Sequence, residues 1–69
     1  MKIAEFLRCI ELGTLLTIAD YKSDKILIDK QTAHTRCGNI KKIFKQYLSN
    51  SITFLYAYDN KKIKMFIEE

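Results

Sequence analysis

The sequence has neither proline nor tryptophan, and it holds only two glycines, two cysteines and one histidine in 69 residues. Each scarcity closes off a class of protein. Cys9 falls within an apolar helical pattern and Cys37 stands beside Gly38, and two such cysteines cannot form the disulfide framework on which small secreted domains depend. Free thiols in a reducing cytoplasm are the expectation. His34 has Thr32, Thr35, Arg36 and Cys37 near it in sequence, a set that supplies neither a zinc framework nor a nucleophile with its base. No catalytic residue, metal or cofactor is therefore assigned, and the chain is read as a non-enzyme. Gly13 and Gly38 are isolated, which excludes a glycine-rich phosphate loop. No apolar run approaches the roughly 20 residues of a membrane helix, and Glu5 and Arg8 interrupt the region that a signal peptide would keep apolar. No membrane partner and a cytoplasmic location follow as expectations.

Residues 1–69 read as one small domain. A chain this short buries only about 60% of its unfolded surface, which leaves its stability marginal without help from a second subunit. Hydrophobic residues at 48% and charged residues at 29% are a globular balance. Twelve basic against eight acidic residues give a net charge of +4, which favours anionic partners.

Hydrophobic spacing orders the chain as α-β-β-α-β-β. Ile3, Phe6, Leu7 and Ile10 form one helical stripe that Gly13 ends, with Leu12 the last helical residue. From Leu15 the period becomes two: Leu16 and Ile18, then Ile26 and Ile28, flank the polar stretch 20–24 as a short hairpin. Ile40, Ile43, Phe44, Tyr47 and Leu48 mark a second helix capped by Asn39, and Ser49, Asn50 and Ser51 stop it. A longer hairpin follows. Ile52, Phe54, Tyr56 and Tyr58 alternate, Asp59-Asn60 supplies a type I′ turn, and Ile63, Met65 and Ile67 return, pairing Tyr56 with Ile63, Phe54 with Met65 and Ile52 with Ile67. The expected fold is α+β, a four-stranded and mostly antiparallel sheet with both helices on the face of Leu16, Ile18, Ile26, Ile28, Phe54 and Tyr56.

Two surfaces then stand out. The opposite sheet face carries Leu15, Leu27, Leu55 and Phe66 with Lys62 and Lys64 near them, an apolar centre where a solvated face is normally polar, and it is read as an interaction surface. A homodimer through that face is expected, the competing occupant being a different protein. The second surface is basic: Arg36 precedes the second helix, and Lys41, Lys42 and Lys45 fall on its side away from the apolar stripe, where they suit nucleic acid or an anionic nucleotide. The ordinary alternative is a solvated helix face. The row Phe54, Tyr56 and Tyr58 also suggests a platform for stacking bases, but its shared phase with Ile63 and Met65 assigns it to the core.

The opening Met1 to Ile10, followed by Leu16-Thr17-Ile18-Ala19-Asp20 and Ile26-Leu27-Ile28, resembles small orphan α+β proteins of Firmicutes phages and mobile elements. The resemblance covers the first 30 or so residues and lies in the pattern of apolar positions. It implies a non-catalytic protein that binds and inhibits a host defence protein, as anti-CRISPR and other anti-defence or host-takeover factors do. Many inhibitors of nucleic-acid-guided nucleases are acidic DNA mimics, and the net charge of +4 departs from that pattern. A basic protein that binds nucleic acid or an anionic nucleotide is the alternative.

Overall fold

A computed structural model describes residues 1–68, and Glu69 lies outside them. Its elements follow the expected order: α1 (Ile3–Leu7), β1 (Leu15–Asp20), β2 (Ile26–Thr32), α2 (Lys42–Lys45), β3 (Ile52–Asp59) and β4 (Lys62–Ile67). The strands form one sheet in the order β2-β1-β4-β3. Each hairpin is antiparallel, and the two join through parallel pairing of β1 with β4, which sets Leu16 beside Ile63 and Ile18 beside Met65. The sheet is therefore mixed, mostly antiparallel, and open at β2 and β3. Burial follows position, since Leu16 through Ala19 on central β1 are all buried whereas Thr53 through Asp59 on edge strand β3 are all exposed.

One core lies between the sheet and the two helices. Ile3 and Leu7 of α1 and Phe44 of α2 pack with Leu16, Ile18, Ile28, Met65 and Ile67, and Phe6, Ile10, Tyr47 and Leu48 close its margin. Both helices are shorter than the spacing predicts. The turns after α1 tighten into bonds from the Arg8 amide to the Glu5 carbonyl and from the Cys9 amide to that of Phe6, so Leu12 is exposed and non-helical. Gly13 does take the left-handed conformation, with φ of +88°. At α2 the amide of Thr35 donates to the Asn39 carbonyl and Ile40 bridges to His34, so Asn39 belongs to a loop hairpin and Lys41 becomes the cap. Short helices have little stability of their own, and tertiary packing rather than periodicity sets their ends.

The register of β3 on β4 departs from the expected one. Ile52 pairs with Ile67 as predicted, but a bulge before Phe54 shifts the rest, so Phe54 faces Phe66, Leu55 faces Met65, Tyr56 faces Lys64 and Ala57 faces Ile63. Directly paired residues share a face, so Phe54 and Tyr56 lie on the outer side with Phe66, while Leu55 and Ala57 take the inner side. The turn moves too, to Asn60-Lys61, and only Lys61 has positive φ, at +56°, which is not a type I′ turn. On β2 two further shifts leave Ile28 inward and turn Ile26 outward opposite Ala19, with Leu27 the extra residue, packed against the core.

These placements separate core from surface. Phe44→Ala, at a site with no exposure, is expected to cost about 3–5 kcal/mol, enough to leave a domain of this size largely unfolded. Phe54→Ser removes two ring contacts and is expected to cost at most about 2 kcal/mol. Urea unfolding followed by far-UV circular dichroism measures both, and equal costs would return Phe54 to the core.

Candidate functional site: an aromatic sheet face

The helices lie on the inner side, so the outer side of the sheet is uncovered. Across it run Phe54, Tyr56 and Tyr58 from β3, Phe66 from β4 and Tyr21 from the turn after β1. Consecutive ring centroids on β3 stand 6.0 Å (Phe54 to Tyr56) and 6.2 Å (Tyr56 to Tyr58) apart. Phe66 is the hub: it meets Phe54 at 6.2 Å, Tyr56 at 6.4 Å in a nearly parallel stack, and Tyr21 edge-on at 6.3 Å. The ammonium of Lys64 sits 4.9 Å from the Phe66 ring centroid, a cation–π contact worth about 0.5–1 kcal/mol at a partly exposed position. The rings remain accessible, with Phe54 54%, Tyr56 41% and Tyr58 43% exposed.

Beside Tyr56 and Tyr58 the face dips into a shallow concavity of about 290 Å³. Buried Thr17 and exposed Ile26 form its apolar side, and Asp29, Lys30 and Lys64 its charged side. The Lys30 amide donates to the Thr17 hydroxyl at 3.3 Å, and Lys30 itself has φ of +46°, so the kinked part of β2 borders the dip. Lys62 is partly neutralised by Asp59 at 3.7 Å, and Lys64 and Lys30 share the concavity with Tyr56 and Tyr58.

The residues singled out from sequence are not brought together as one patch. Phe66, Lys62 and Lys64 share the outer face, and pairing of Leu15 with Lys62 places it there as well, half-buried. Leu27 packs on the core and Leu55 faces Met65 on the helix side, so the expected cluster of Leu15, Leu27, Leu55 and Phe66 is split between two faces. The bulges in β2 and β3 are the cause. The basic set is also divided. Lys42 and Lys45 are exposed one turn apart on α2, Lys41 is half-buried and donates from Nζ to the Thr32 hydroxyl at 2.7 Å, and Arg36 borders a separate concavity with His34 and Thr14. Since α2 covers the inner face, these cations lie across the sheet from the rings.

Tyr21, Ile26, Phe54, Tyr56 and Tyr58 are the surface residues that alternation missed. For the three tyrosines the signal that could have found them is the hydroxyl, since tyrosines favour positions where the ring packs and the oxygen stays wet; Ile26 and Phe54 carry no such signal. Cys9 and Cys37 are free and exposed, and His34 is half-buried in the loop hairpin. Among the described residues no group of three or more His, Cys, Asp or Glu is placed to hold a metal, and no helix is long and apolar enough to cross a membrane. No family model, curated protein or solved structure matches the chain.

Phe66→Leu keeps apolar bulk and removes the hub ring. It is expected to cost about 1–3 kcal/mol and to weaken the near-UV circular dichroism of the tyrosines while the far-UV spectrum stays intact. An unchanged near-UV signal would mean that the rings do not pack as a cluster.

Proposed function

We propose that this chain is a non-catalytic binding protein that works in the cytoplasm by laying its outer sheet face on a partner protein. The observation that carries the reading is the exposed row of Phe54, Tyr56 and Tyr58, joined to Phe66 and Tyr21 on a face that neither helix covers. Large rings with few rotatable bonds lose little entropy on docking, and aromatic anchors dominate the energetics of protein interfaces. Lys64 and Lys30 at the margin, with a net charge of +4, favour an acidic partner surface and speed its encounter. The resemblance of the first 30 residues to phage anti-defence proteins supports a host defence protein as that partner. Inhibition would follow from occlusion, and the host cytoplasm would be the place of action.

Affinity capture from a Gram-positive lysate, run in parallel with the double variant Phe54→Ala, Tyr56→Ala, tests this reading. A protein retained by the wild type and lost with the folded variant is expected. Identical recovery by both, or none by either, would contradict it.

A second reading is favoured by one observation, the 6.0 and 6.2 Å steps of the three rings along one strand with Lys64 beside them. Successive rings next to cations form a platform on which single-stranded nucleic acid stacks, each base contributing about 1–3 kcal/mol. Fluorescence titration with an oligothymidine separates the readings. With about three phosphate contacts, affinity should fall roughly twentyfold between about 50 and 200 mM salt, and Lys64→Gln should reduce the salt slope by about one contact. Salt-insensitive binding, or none at low salt, excludes the nucleic-acid reading.

A further inference from the structure

The two edges of the sheet are built differently. Edge strand β2 carries the exposed, charged Asp29 and Lys30 in its middle, has positive φ at Lys30, and breaks register twice against β1. Charges and bulges of this kind are the devices by which natural sheets block the addition of a further strand. Edge strand β3 has such features only at its ends, where its two register shifts lie and where Met1 and Lys2 pair beside Ile52 and Ser51. From Ile52 to Tyr58 it holds no charge, proline or glycine, and aromatic and β-branched residues favoured in strands predominate. Its register shifts lie toward its ends, so Phe54 through Ala57 keep regular pairing with β4 and offer a straight, unpaired far side. Exposure extends to both faces of the strand: Leu55 is 39% exposed on the helix side, opposite the exposed rings.

We infer that β3 is a pairing edge for a second copy of this chain, with two β3 strands adding antiparallel about a two-fold axis near Leu55 to make one eight-stranded sheet. Self-complementarity selects this occupant. About that axis Phe54 stands opposite Tyr56 on the outer face and Leu55 meets its own copy on the inner face, so the new ladder from Thr53 to Ala57 sets no like charges against each other, and Ser51 and Ile52, paired with Lys2 and Met1 of their own chain, lie beyond it. A dimer formed face to face would instead press Lys62 and Lys64 against their copies. Because β2 is blocked, growth stops at two chains. The pairing also places two rows of rings side by side on one continuous face. It goes beyond the proposed binding activity and stands or falls separately from it, since it uses the strand edge and not the ring faces.

Sedimentation equilibrium on the full chain, with amide hydrogen exchange at low and high concentration, tests the inference. The mass should rise from one copy to two with concentration. Alternate amides between Thr53 and Tyr58 should slow as it does, while those of β2 should not. Leu55→Lys should weaken association at least tenfold with the far-UV spectrum intact, and Ala57→Lys serves as the second variant should the first fail to fold. A monomer up to about 1 mM, which would leave the edge for a strand of another protein, overturns the proposal. So does a dimer indifferent to both folded lysine variants, and so does assembly that continues beyond two copies.

Discussion

The bulge between Ile52 and Phe54 is the constraint on which the surface of this molecule depends. Without it, β3 would point Phe54, Tyr56 and Tyr58 toward the helices, and the outer face would keep Phe66 as its single sheet-borne ring. With it, Leu55 and Ala57 turn inward and the three rings turn outward, Phe54 and Tyr56 against Phe66 and Tyr58 against Tyr56. Magnitudes favour this arrangement. The two contacts to Phe66 contribute about 1–3 kcal/mol together, which offsets the roughly 1 kcal/mol of a ladder hydrogen bond lost at the bulge. The tyrosine hydroxyls also remain in water. On the inner side their neighbours would be Ile63 and Met65, which offer no acceptor, and an unsatisfied hydroxyl costs about 1–3 kcal/mol when buried.

Behind that surface, the parallel pairing of β1 and β4 holds the two hairpins together. It puts the most apolar strand at the centre, where Leu16 and Ile18 meet the helices and Thr17 and Ala19 lie under the outer residues. The amino-terminal segment is tied to the same framework. The Ile3 amide donates to the Asn50 carbonyl, that of Ala4 to Leu48, and that of Ile52 to Met1, so α1 is fixed against the chain entering β3. The strand that carries the rings is thus anchored at its start, where the bulge begins and where Met1 and Lys2 pair beside it.

The order of elements and the fold class were legible because periods of two and of three to four report directly on strands and helices, and because Gly13 and Gly38 mark reversals that require positive φ. The inner residues Leu16, Ile18, Ile28, Met65 and Ile67 were legible for the same reason. Helix ends were not, since the backbone bridge from His34 to Ile40 and the tight turns after Leu7 are tertiary choices that no local pattern encodes. The ring face was hidden by a simpler cause. A pattern of alternation assumes an unbroken ladder, and one extra residue inverts every side chain beyond it. Leu27, Leu55 and Ile26 were placed on the wrong faces by this mechanism, whereas Phe66, Lys62 and Lys64 on the unbulged β4 were placed correctly.

The bulge sets the ring face, and cross-strand nuclear Overhauser contacts between β3 and β4 read that register residue by residue. The bulged register predicts contacts of Phe54 with Phe66 and of Tyr56 with Lys64, together with Leu55 against Met65. Contacts of Phe54 with Met65 and of Tyr56 with Ile63 would contradict it and return the rings to the helix side.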